Sequence, residues 1–142
     1  MRSESAQELQ QFAETLQAAL VAHGFVIHRY DAASTNSIYL KVDYGVGNSI
    51  RISDHNGKQH LQYKYNINTQ TKKYRADRSK QYPRFYYSLN EMDLLIHHIL
   101  DARAQRVRRS GQASYNWSCL QHKQQATTVG FWQFAHKVGG PL

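Results

Sequence analysis

The chain has 142 residues, 18 of them Lys or Arg against 10 Asp or Glu, a formal charge of +8 with the eight His neutral; at 41% hydrophobic and 20% charged it fits one folded domain and excludes a wholly disordered chain. The single cysteine, Cys119, excludes a disulfide framework within the chain, no Cys/His run has zinc-site spacing, and a reducing, cytoplasmic compartment is expected. The first twenty residues carry no apolar stretch such as a signal peptide or membrane span needs, so the Asn-Trp-Ser sequon at Asn116 is expected to be idle.

Ser5 and Glu8 have capping-box spacing, and Leu9, Phe12, Ala13, Leu16 and Leu20 follow at three- and four-residue steps. A helix is predicted over about 5 to 23, with Gly24 as its left-handed C-terminal residue. The period then changes to two. Phe25 and Ile27, Ile38 to Tyr44, Ile50 and Ile52, and Leu61 to Ile67 read as four strands, joined through Gly45-Val-Gly-Asn48 and Asn56-Gly57 as tight hairpins. Residues 68 to 84 read as a loop or long hairpin tip, and Arg84 to Tyr87 as a short fifth strand. Ser88 and Glu91 repeat the capping-box spacing ahead of Met92, Leu95, Ile96, Ile99 and Val107, so a second helix is predicted over about 89 to 109, with Gly111 as its stop. Beyond it, Trp117, Phe131, Trp132 and Phe134 keep no sustained period. The expected fold is α+β: an antiparallel meander sheet of four to five strands packed against an N-terminal and a C-terminal helix. Residues 1–111 form the domain, and 112–142 an irregular tail that docks, forms a short helix or orders on a partner.

Three constellations carry chemistry. The strand-end patch Arg51, Ser53, Asp54 and His55 puts polar groups together; Arg51 can pair with Asp43, and Ser53 and Asp54 can bond the turn after them. Its alternative is a phosphate or partner contact. Asp54 with Gln62-Tyr-Lys64 is a degenerate form of a metal-nuclease pattern in which Gln62 cannot supply the second carboxylate, so no catalytic residue, metal or cofactor is expected. Lys64 belongs to a strand whose inner face reads as Leu61, Tyr63 and Tyr65. His97 and His98 are about 100° apart on a helix and unsuited to one ion, and Gly45-x-Gly47 lacks the third glycine of a nucleotide loop. The firmest signal is charge. Lys72, Lys73, Arg75, Arg78, Lys80 and Arg84 face one acid within thirteen residues, with Tyr74 and Tyr82 interleaved to stack on bases while the cations hold phosphates. A second cluster, Arg103, Arg106, Arg108 and Arg109, closes the second helix, whereas residues 1–40 are net negative.

The pair Ser37-Ile-Tyr39 and Ile50-Arg-Ile-Ser-Asp-His55 resembles small proteins of phages and mobile elements that carry a Ser-x-Tyr, then Ile-Arg-(Ile/Leu)-Ser-x-His, strand pair over roughly residues 25 to 67. An inhibitor of type II CRISPR effectors is among them. The resemblance implies a phage-encoded anti-CRISPR protein that disables a type II RNA-guided nuclease stoichiometrically in an infected bacterial cell, through basic contacts to the effector, its guide RNA or DNA. Two alternatives are an accessory nucleic-acid-binding protein without an effector target, and a weak metal-dependent nuclease.

Overall fold

A computed structural model describes residues 4–32, 35–42, 49–55, 63–79, 82–125 and 135–139. In chain order these form α1 (Glu4–Ala22), β1 (Ile27–Asp31), β2 (Ile38–Val42), β3 (Ser49–Ser53), β4 (Tyr65–Asn68), β5 (Arg75–Asp77), β6 (Arg84–Tyr87), α2 (Met92–Ser110), α3 (Gln112–Gln125) and β7 (His136–Gly139). The expected α+β class holds. The meander does not, because the seven strands join one mixed sheet in the order β5-β6-β4-β3-β2-β1-β7. β4 runs parallel to β3 and to β6, while the outer pairings are antiparallel. A two-residue hairpin cannot join parallel strands, so the chain must cross back between β3 and β4; the Asn56-Gly57 signal lies outside the described residues, as does Gly45 to Asn48.

α1 follows its apolar stripe: Leu9, Ala13, Leu16 and Leu20 are fully buried against Ile27, Leu40, Ile50 and Ile52 of the sheet. The helix already includes Glu4, which places Ser5 inside the first turn instead of at its cap. Its end is a Schellman motif, with Phe25 N–H donating to Leu20 O at 3.1 Å, Gly24 N–H donating to Val21 O at 2.9 Å and Gly24 at φ 87°. Arg29 sits on the helix-covered face and is 6% exposed. Its guanidinium donates to Gln10 and Gln17 of α1 and to both oxygens of Asp31 at 2.7 to 3.1 Å, so a buried charge is paired and α1 is pinned to β1. That bonding, with a smaller pull from His136, outweighs burial and lowers the Asp31 pKa.

α2 starts three residues later than the spacing predicts. Ser88 to Glu91 forms a turn in which Ser88 N–H donates to Glu91 Oε1 at 2.9 Å, so the capping-box contact exists but precedes the helix. Leu95 and Ile99 enter the core, while Ile96 packs on its margin. Gly111 at φ 85° ends α2, its N–H donating to Val107 O at 2.7 Å, and α3 follows directly. α3 packs Tyr115 and Cys119 against Val107 and leaves Trp117 64% exposed. The C-terminal stretch thus supplies a helix and, through β7, an edge strand beside β1.

On the face away from α1 and α2, register aligns Tyr30, Tyr39, Arg51, Asn66, Tyr86 and Arg75 in one row across six strands. Among the described residues no helix is long and apolar enough to cross a membrane.

Candidate nucleic-acid interface

The strand-end patch is built on Ser53, whose hydroxyl is fully buried. Ser53 Oγ accepts from Arg51 at 3.1 Å and from His55 N–H at 3.3 Å, and lies 2.9 Å from Ser37 Oγ and 3.1 Å from His55 Nδ1. The same Nδ1 is 3.0 Å from Asp54 Oδ1, and Asp54 also accepts from Asn36 at 2.8 Å. A nucleophile, base and acid relay needs the two ring nitrogens for different partners; here serine and aspartate share one. Asn68 Nδ2 donates to His55 O at 2.9 Å and ties the patch to β4. Ser37 and Ser53, the two serines of the motif, are therefore bonded across β2 and β3. Asp43, the expected partner of Arg51, lies outside the described residues.

The degenerate nuclease pattern is not brought together. Asp54 follows β3 and Lys64 precedes β4, and the parallel register Ile50↔Tyr65, Ser53↔Asn68 puts them at opposite ends of the strands, on the order of 15 Å apart. Gln62 lies outside the described residues. Among the described residues, no group of three His, Cys, Asp or Glu is placed to hold a metal ion. Nor do Tyr63 and Tyr65 share an inner face. A bend at Lys64 breaks the alternation, so Tyr65 enters the core while the Tyr63 ring lies 5.2 Å from Tyr39 on the other face. Burial, reinforced by Tyr39, pushes the Tyr63 phenol up to about 12.

The basic stretch forms the hairpin β5–β6, whose root is anchored by Tyr74. The sequence reading has this tyrosine stack on bases. Instead its ring packs 5.1 Å from Tyr87 and 5.0 Å from His98, and its N–H donates to Glu91 Oε2 at 3.1 Å. Tyr87 is fully buried, and its hydroxyl lies 2.7 Å from His98 Nδ1. The groups facing His98 are Tyr74, Tyr87, His97 and Asp101. Burial of the ring and then His97 lower its pKa below the usual 6.5, with Asp101 opposing. Because the folded protein takes up that proton less readily than the unfolded chain, stability is full above the ordinary histidine range and falls as pH drops through it. Thermal unfolding of the wild type from pH 7.5 to pH 5 is expected to show this loss, and His98→Asn to lack part of it; identical pH profiles would remove His98 from the anchor.

The remaining cations divide by environment. Lys72, Lys73 and Arg78 are exposed, Arg78 lying 5.5 Å from the Phe85 ring centroid, and Tyr82 is 65% exposed. Lys80 lies outside the described residues. Arg75 covers the Tyr86 ring at 4.0 Å, and Arg84 is half-buried. Arg103 is structural: it donates to His23 O at 2.8 Å and lies 3.9 Å over Phe25, clamping α2 to the end of α1. Arg106, Arg108 and Arg109 are exposed along the last turns of α2.

Lys64 adds to the cluster on α2, a placement that sequence reasoning missed. The half-buried ammonium lies 5.3 Å from the Tyr65 ring centroid, and its pKa is lowered first by burial and then by Arg106 and Arg109. Phe85 N–H donates to Lys64 O at 2.8 Å, so the Arg78 and Phe85 pair adjoins the same corner. Among the described residues no carboxylate acts on Lys64. Lys41 and Arg51 are 5% and 7% exposed on the sheet face away from the helices; Arg51 belongs to the strand-end patch, and Lys41 is a further cation that sequence reasoning missed.

No protein-family model, curated protein or solved structure matches this chain.

Proposed function

We propose that the protein is a stoichiometric, non-catalytic binder of phosphate backbone in a nucleoprotein, and that the nucleoprotein is a type II CRISPR effector carrying its guide RNA. One observation supports the first part: Arg106 and Arg109 on α2 act on Lys64, roughly forty residues away in sequence, and among the described residues no acid acts on it. A half-buried cation pressed by like charges gains from a polyanion what it lacks in the free protein. The second part rests on the Ser37-x-Tyr39 and Arg51-x-Ser53-x-His55 strand pair. With a charge of +8 the protein is unsuited to imitate DNA, so it would clamp nucleic acid or an acidic effector surface.

The test is a type II effector cleavage assay with and without the protein, beside a mobility-shift assay on bare guide RNA. Inhibition saturating near one protein per effector supports the reading. Binding to bare RNA without inhibition would leave an accessory nucleic-acid-binding protein, and cleavage of nucleic acid on addition of a divalent metal would overturn the non-catalytic assignment.

A further inference from the structure

We infer that the outer face of the β5–β6 hairpin holds unpaired nucleobases, which makes the preferred ligand a single-stranded nucleic acid. The inference deepens the phosphate-binding reading and rests on it. Arg75 and Tyr86 are directly opposed in register, and the guanidinium carbon stands 4.0 Å from the centre of the phenol ring. At that distance one planar face of the guanidinium covers the tyrosine. Arg75 is exposed, so its other planar face is open to a second flat ring and its N–H edge to an oxygen of base or backbone.

Arg84 lies two residues before Tyr86 on the same side of β6. Its Nε is buried and has no hydrogen-bond partner among the described residues, although buried donors are ordinarily satisfied. Arg75 and Arg84 form no salt bridge among the described residues. The carboxylate opposite Arg84, Asp77, accepts from Ser79 N–H at 3.0 Å and Ser79 Oγ at 2.6 Å. Tyr82, 65% exposed two residues before Arg84, offers a second ring. Together these groups present a capped aromatic and an open guanidinium face, with positive charge around them.

A base within a duplex is stacked on both sides and cannot reach the open guanidinium face, whereas an unpaired base can. Fixed phosphate cations alone do not distinguish the two strand states through stacking; this face does.

The test is fluorescence anisotropy of the full-length protein with a labelled oligo-U strand, an oligo-dT strand of equal length and a duplex of equal length, for wild type, Arg75→Lys and Tyr86→Leu. Wild type is expected to bind at least one single strand about tenfold tighter than the duplex, within the usual worth of base stacking. A preference for oligo-U would point to RNA and one for oligo-dT to DNA, and either supports the inference. Arg75→Lys keeps the charge and loses the planar stack, so it should remove most of the single-strand preference while leaving the salt dependence unchanged. An undiminished preference in Arg75→Lys overturns the inference even if Tyr86→Leu fails to fold. Equal binding of strands and duplex by the wild type overturns it and leaves the phosphate reading standing, whereas absence of binding to all three at low salt overturns both.

Discussion

Leu16→Ala and Leu95→Ala each lower the free energy of unfolding by about 2–5 kcal/mol, the range for removing a buried aliphatic side chain whose cavity refills only in part. Both residues are fully buried, one from α1 and one from α2, in a single cluster on one face of the sheet. Ile96→Ala, at the edge of that cluster, costs less. Urea unfolding measures all three, and changes below about 0.5 kcal/mol at both leucines, a value typical of surface sites, would place the helices elsewhere.

Neutralising Lys64 and its two α2 neighbours together with Arg78 of the hairpin separates function from stability. In the variant Lys64→Gln, Arg78→Gln, Arg106→Gln, Arg109→Gln, four cations are removed, and each lost phosphate contact flattens the plot of log affinity against log salt by about 0.7–0.9 units. Binding to guide RNA should weaken strongly at low salt, with the slope reduced by about 3 units. Stability should hold or rise, because Lys64 is desolvated and repelled by two arginines in the folded protein. A residue whose removal helps the fold and harms binding is kept for its ligand. An unchanged salt slope would show that phosphates bind elsewhere.

How much of this was legible beforehand varied with how local the governing physics is. α1 was readable because its stripe, its Gly24 ending and its length all point the same way. α3 was not: among its described side chains only Tyr115 and Cys119 are buried, too few to produce a helical period. The parallel pairing of β3, β4 and β6 was hidden because alternation is the same in parallel and antiparallel strands; only the path between them differs, and the Asn-Gly signal favoured a hairpin.

The candidate site shows the same division. Charge density was visible in the sequence, but which charges serve the fold was not. Arg103 is engaged by a carbonyl and a ring presented from Phe25 and His23, about eighty residues away, and Tyr74 is turned inward by Tyr87 and His98. Conversely, Lys64 gained its place through the bend that put Tyr63 and Tyr65 on opposite faces, which period-two reasoning assigns wrongly. Arg51, Ser53, Asp54 and His55 read as a cluster in the sequence, and the structure adds Ser37 to it. The sharing of one imidazole nitrogen by Ser53 and Asp54 appears only in three dimensions.

The placement of β7 beside β1 governs the order in which the molecule assembles. Ile27 and Gly139 are paired although roughly 110 residues separate them, so this seam closes a far longer loop than the β1–β2 or β5–β6 hairpins. A register irregularity between Ile27 and His28 weakens it further. The seam should zip late during folding and open early under native conditions, so amides of β1 facing β7 should exchange with solvent faster than those of the β3–β4–β6 centre.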